Sequence, residues 1–323
     1  MQVIRNIANA LLAAAAVCVA APAAAAGDYP SKPIRIVVPY APGGGSDVLA
    51  RIIGEGLPRE WGQPVVIENK PGASGTTASE AVSRAAPDGY TLVMGTSASH
   101  SVNTVVFAET YDPLTAFAPV ALVTLTPNVL FTSPALEVKS IDQLVQYMKD
   151  NKGSALAIGG PATSGRFAAE LFQSELGVEL TLVPYGGSTP AVTDVRAGHV
   201  KVGITDVLAP SPFIKNGDLR AIAVTSMERV KSMPDVPTLN ETVAPGFDAV
   251  AWNAMFAPPG TPAAVIDKLN AGIRKVMSQP EVKQKVESMG QQLAVGSPED
   301  LAKFMQQDIA KWKGVAQSNQ LKF

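Results

Sequence analysis

The sequence has little of what proteins use to build disulfides and metal centres: its 323 residues include one cysteine and two histidines. An internal disulfide is excluded, and Cys18, His100 and His199 are too few to make a zinc site of the usual kind. No metal or other cofactor is expected. Charge is also sparse, with 26 Lys plus Arg against 28 Asp plus Glu, a net charge of −2 and no block of like sign. A nucleic-acid partner held through phosphate contacts is therefore not expected. Beyond the N-terminus no apolar run approaches the roughly eighteen residues of a membrane span. In their place stand 27 glycines, 26 prolines and a 46% share of hydrophobic residues, enough for one large core or two moderate ones.

The one apolar run, from Ile7 to Ala21, follows Arg5 and is short for a bilayer. With small residues at Ala24 and Ala26 it reads as a secretory signal peptide over 1–26, with a mature start at Gly27 and export to the periplasm. Two alternatives are weaker. A lipid anchor on Cys18 lacks the leucine three positions before it and the small residue next to it, since Ala15, Ala16 and Val17 stand there. A retained helical anchor would be ended by Pro22.

From Asp28 onward, short β-branched runs alternate with segments whose apolar residues recur at three and four, which predicts an α/β class with parallel sheets covered by helices. Strands are expected near 34–38, 65–67, 91–94, 120–125, 155–158, 181–183, 202–205 and 220–224. The firmest helices are expected near 48–59, 78–86, 141–151, 167–176, 190–197, 263–277, 281–289 and 298–318. A strand, a tract of small residues and a helix occur in that order at PYAPGGGSD (39–47) and NKPGASG (69–75), and again at GGPATSG (159–165) and PYGGSTP (184–190). Two such pairs predict two lobes: 27–125 plus 250–323, and 126–249. The proline-flanked stretches 124–134 and 245–259 are expected as crossings, with the C-terminal helices returning to the first lobe.

In open α/β sheets ligands sit beyond the carboxyl ends of the strands, so all four tracts would line a cleft between the lobes. Gly43, Gly44 and Gly45 before a helix can bring several N–H groups onto one anion, and the helix dipole adds positive potential. Tyr40, Ala41, Pro42 and Ser46 belong to the same tract, and Gly72, Ala73, Ser74 and Gly75 to its neighbour. No lysine or arginine lies within 39–47, so recognition would rest on amides, hydroxyls and water. Tight turns that merely need positive φ remain the competing reading. Asp47 opens a helix and is expected to cap it and orient the loop. Ser97, Ser99 and His100 offer donors after the third strand, or form a plain surface loop. Thr163, Ser164 and Arg166 lead into a helix, with Arg166 divided between ligand contact and a surface ion pair. Tyr185 and Asp206 complete the candidate set, Asp206 leaning towards holding its own loop. Trp252 and Phe256 are expected as core or hinge packing.

Other glycine motifs are absent. There is no GxxxxGK, the GxGxxG pattern fails at Val48, and neither Ser46 nor Ser74 sits in GxSxG. An exported serine hydrolase using Ser46 with His100 and an aspartate, or using Ser74, stays open as an alternative, because triads are defined by geometry.

The segments YPSKPIRIVVPYAPGGGSD, VIENKPGASG, APDGYTL, YDPLTAFAPV, VPYGGSTPAVTDVRAG, GDLRAIAVTS, PDVPTLNE and APPGTPAAVIDKLN together resemble the extracytoplasmic solute receptors of tripartite tricarboxylate transporters, the Bug receptors. The resemblance runs from Tyr29 to Phe323. It implies a two-lobed periplasmic-binding-protein (Venus flytrap) fold, type II-like, and a small carboxylate held between loops 39–47 and 69–75, partly through water. The carboxylate would be a di- or tricarboxylate, an acidic amino acid or an aromatic acid. It also implies integral-membrane permease subunits as partners and a monomeric receptor. Arg166 stands where such receptors often carry histidine, which puts the distal contacts in question. A ligand-presenting sensor protein with the same cleft is the second alternative.

Overall fold

The β-branched run Ile34–Val38 forms β1, and the glycine tract after it opens α1 (Gly45–Trp61). Leu49, Ile53 and Leu57, spaced four apart, are fully buried on the face of α1 that meets the sheet, each contributing about 1.5–3 kcal/mol of burial. Gly62, left-handed at φ 69°, ends the helix by donating its N–H to Pro58 O. The chain continues through β2 (Val65–Asn69), a short turn at 73–75, α2 (Thr76–Ser83) and β3 (Thr91–Thr96). A π-helical turn at 98–102 runs into the short α3 (Asn103–Val106), and β4 (Ala118–Thr126) follows. The computed structural model describes residues 29–106, 111–159 and 164–319, so the expected signal peptide and Thr163 lie outside the described residues.

Two residues after β4 the chain enters a second sheet as β5 (Asn128–Thr132). There follow α4 (Ile141–Asp150), β6 (Ser154–Ile158), α5 (Ser164–Leu176), β7 (Leu180–Pro184), α6 (Ser188–Ala197), β8 (Val202–Asp206), α7 (Ser211–Lys215) and β9 (Arg220–Val224). Helix α4 starts on a reciprocal cap: Ser140 Oγ accepts from Gln143 N, and Gln143 Oε1 from Lys139 N. After a long crossing, β10 (Ala251–Ala257) rejoins the first sheet, followed by α8 (Ala263–Met277), α9 (Pro280–Ser288), β11 (Gln292–Leu293) and α10 (Pro298–Asn319).

The result is a two-lobed α/β fold. The first sheet has the order β11-β4-β10-β3-β1-β2 and the second β7-β6-β8-β5-β9. Neither is all parallel, which corrects the expectation. β10 lies antiparallel between β3 and β4, and β5 antiparallel between β8 and β9. These are the two stretches expected only as crossings. Asn128–Thr132 is buried throughout and Ala251–Ala257 nearly so, and a short strand buried on both faces shows no alternation to betray it.

Helix α10 departs from expectation at its far end. Leu301 and Met305 pack with Val93 and Trp252 of the first lobe, whereas Trp312 and Val315 join the second core beside Phe167 and Ala168. Between them the buried Asp308 accepts the indole N–H of Trp252 at 2.9 Å and that of Trp312 at 3.2 Å. No helix among the described residues is long and apolar enough to cross a membrane.

Candidate functional site

The carboxyl ends of strands from both sheets meet at a cavity of about 280 Å³. From the first lobe come Tyr40, Ser46, Thr96, Ser97 and Ala98; from the second come Gly159, Ser164, Gly165, Phe167, Ser188, Thr205 and Asp206. Ala251, Trp252 and Asn253 of β10 line the rest. Of the residues singled out from sequence, the structure brings Tyr40, Ser46, Ser97, Ser164 and Asp206 into this wall.

Among the described residues no lysine, arginine or histidine lines the cavity. Three helices begin there instead: Ser46 is the second residue of α1, Ser164 the first of α5 and Ser188 the first of α6. The N-caps of α1 and α6 are Gly44 and Gly187, and neither end carries a side-chain cap. Their first-turn N–H groups keep their hydrogen-bonding capacity, and the positive dipole ends add to the potential in the cleft. Trp252 and Phe167 supply apolar surface.

The glycine loop is held from behind. Asp47, 2% exposed, accepts from Gly43 N at 2.9 Å, from Arg51 Nε and guanidinium at 2.9 and 3.0 Å, and from Asn69 Nδ2 at 2.8 Å. The Arg51 guanidinium, with the Gly43 and Asn69 bonds, holds the Asp47 carboxyl down at about 2 against the burial that opposes it. Asn69 Nδ2 also reaches Tyr40 O at 3.0 Å. Asp47 thus orients the loop as expected, from the third helical position rather than as the N-cap. Gly43 takes φ +90°, whereas Gly44 is extended and a Cβ there would find only Ala41 O, at 3.7 Å. The conformational demand for glycine therefore falls on Gly43.

Loop 72–75 packs against this unit, and a Cβ on Gly75 would come within 3.1 Å of Pro39 and of Ser99. Ala73 and Ser74 sit at φ 44° and 52°, the positive-φ non-glycine residues among those described. Such a conformation costs about 1–2 kcal/mol per residue, and strain of this kind concentrates at ligand sites. Ala41, Pro42, Gly43, Gly44 and Gly45 and, in the second loop, Gly72, Ala73 and Ser74 are exposed. They flank the cavity without lining it.

Several candidate side chains face elsewhere. His100 is fully buried, stacked on Phe256 with ring centroids 4.3 Å apart, its Nδ1 at 2.8 Å from Ser99 Oγ. Burial pulls its pKa down to about 3. It offers no donor to the cleft, because the π-helical turn after β3 points it into the core, and Ser99 is buried with it. Ser46 donates to Asn253 Oδ1 at 2.6 Å rather than to a histidine, so the serine, histidine and aspartate set considered from sequence does not assemble. Ser74 likewise lines no part of the cavity. Arg166 lies 3.6 Å from Glu170 one turn along α5, the pair being largely buried, and is not among the described lining residues. Tyr185 turns its hydroxyl to Asp194 on α6, and desolvation, followed by that bond, raises its pKa to about 12. Asp206 does hold its loop, with Oδ1 accepting from Leu208 N and Ala209 N.

Ser188 and Asn253 were not anticipated. Ser188 lies inside the tract 184–190, but the expected helix start near 190 leaves it in the loop, whereas it is the first residue of α6. Asn253 is 207 positions from the serine it binds and carried none. Trp252, expected as packing, is both packed and cavity-lining.

Residues 49–321 match the family described as "Tripartite tricarboxylate transporter family receptor". Protein BugT of Bordetella pertussis (strain Tohama I) is 35% identical over 300 residues, covering 92% of each chain. Among solved structures, R. palustris Rpa4515 with adipate superposes with a TM-score of 0.74 at 33% identity, over 90% of this chain and 98% of that one. MatC from Rhodopseudomonas palustris with bound malate gives a TM-score of 0.71 at 32% identity, over 89% and 99%.

Proposed function

The chain belongs to the tripartite tricarboxylate transporter receptor family, whose members are solute-binding receptors and not enzymes, and from that premise we propose that its cleft captures a small organic carboxylate in the periplasm. The observation that carries the reading is a cavity with three helix N-termini and, among the described residues, no cationic side chain. A carboxylate there is gripped by peptide N–H groups of the first turns of α1, α5 and α6, supported by the Ser97 hydroxyl and bridging water. The apolar faces of Trp252 and Phe167 cover its carbon chain. The neighbours solved with adipate and malate support a ligand of this class and size.

In the same proposal residues 1–26 direct export, and lobes 27–125 plus 250–323 and 126–249 close around the ligand, the end of α10 from Trp312 onward staying packed on the second lobe. The loaded monomer then delivers its ligand to integral-membrane permease subunits. Tyr40, Ser46 and Ser97 on one lobe and Ser164 and Asp206 on the other contact the ligand or its waters, with loops 41–47 and 72–75 closing over them.

A thermal-shift series over aliphatic, aromatic and amino carboxylates tests it, because a ligand of the native state adds RT ln(1 + [L]/Kd) to stability. At least one acid raises Tm in proportion to log concentration, and its amide counterpart binds at least about tenfold more weakly through loss of charge-assisted hydrogen bonds. Equal binding of acid and amide overturns the anion cradle.

A further inference from the structure

Three serines of the cavity wall have their own protons committed to the protein. Ser188 Oγ lies 2.5 Å from Asp206 Oδ2. Since Oδ1 of the same carboxylate takes two backbone N–H groups, Ser188 is the donor of that bond. Ser164 Oγ donates to Asn128 Oδ1 at 3.0 Å, and the orientation of that amide is fixed by Asn128 Nδ2 donating to Ala249 O. Ser46 Oγ donates to Asn253 Oδ1. Towards the cavity these three hydroxyls present lone pairs only. Asp206, the one charged side chain lining the cavity among the described residues, adds the remaining acceptor capacity of Oδ2 and a negative charge.

Peptide N–H groups therefore supply the donors for a carboxylate, while Ser164, Ser188 and Asp206 on the second-lobe wall ask for a donor in return. We propose that this wall selects, among carboxylates, those carrying a hydroxyl or ammonium group away from the gripped carboxylate, with Ser188 as its acceptor and Asp206 as the positioning residue that sets the polarity of Ser188. The inference rests on the carboxylate-receptor reading and narrows it. A buried site built to accept a hydrogen bond discriminates strongly against an analogue without the donor, because its acceptor is then left desolvated and unpaired.

The test is isothermal titration of the full mature chain with succinate, malate and aspartate and with glutarate, 2-hydroxyglutarate and glutamate. The readout is the affinity ratio of each substituted acid to its parent, which does not depend on the fraction of protein folded. In the wild type the better substituted acid of a set binds at least about tenfold tighter than the unsubstituted one. In Ser188→Ala the ratio falls below about threefold. In Asp206→Asn the new amide keeps its oxygen on Leu208 N and Ala209 N and turns its NH₂ to Ser188, which releases the Ser188 proton into the cavity. The ratio there collapses or inverts, an outcome that a merely structural Asp206 would not produce. Parent acids binding as tightly as their substituted counterparts in the wild type overturn this inference and leave the carboxylate reading intact. A preference that survives unchanged in both variants also overturns it. Failure of these six acids and of every acid in the thermal-shift series to bind overturns both.

Discussion

The two walls of the cleft are built by different means. On the first lobe, the glycine loop is tied to β2 through the buried Asp47 and its bonds to Gly43, Arg51 and Asn69. The adjoining loop holds two non-glycine residues in left-handed conformations. On the second lobe the wall is the plain start of two helices, with Ser164 and Ser188 facing the cavity. The first arrangement spends folding stability to fix peptide donors in place, while the second uses the regular geometry of helix ends. The contrast teaches that exposed backbone must be pre-shaped by buried partners, whereas helix starts present their N–H groups by regular geometry.

Breaking the brace gives the largest expected effect. Asp47→Ala leaves Gly43 N without its acceptor, Arg51 without its ion pair and Asn69 Nδ2 with Tyr40 O alone. It lowers stability by about 2 kcal/mol and ligand affinity by more than about tenfold, read by denaturant titration and calorimetry. Retained affinity would show that the loop is shaped without it. In wild type the Asp47 contribution is complete above the ordinary carboxylate range and is lost as pH falls from about 4 towards its folded value of about 2.

The next effect sharpens the comparison from behind the first-lobe wall. His100 is neutral when folded, with a pKa of about 3, but takes a proton below about pH 6.5 when unfolded. Acidification therefore favours the unfolded chain throughout that window, by roughly 2 kcal/mol at pH 5. His100→Gln keeps a partner for Ser99 Oγ and flattens the stability profile between pH 7.5 and pH 5, within the precision of urea midpoints. An unchanged slope would place the acid sensitivity elsewhere.

The smallest effect is on the second lobe. Tyr185→Phe removes the hydroxyl bound to Asp194, costs at most about 1 kcal/mol and leaves ligand affinity within about twofold. A larger loss of affinity would return Tyr185 to the site.

The tracts were legible because glycine, serine and proline after a β-branched run carry strong local meaning: each of the four does follow a strand, and three open directly on helices of the cavity wall. The antiparallel β5 and β10 were not legible, since full burial erases the period and their flanking prolines suggested loops. For the site, sequence reached the residues next to the glycines but could not orient a side chain. His100 looked like a donor until a π-helical turn aimed it inward. Asn253 became a partner of Ser46 only through the antiparallel pairing of β10 with β3 and β4.

Helix α10 has a consequence for how the molecule comes apart. Because one rod is embedded at its start in the first core and at its end in the second, with its Asp308 accepting from the indole of Trp252 on β10 and from that of Trp312 one turn on, neither half possesses a complete interior of its own. Fragments severed at either crossing would each display an unfilled apolar socket, and heating the intact chain should yield a single calorimetric endotherm in which both halves surrender together.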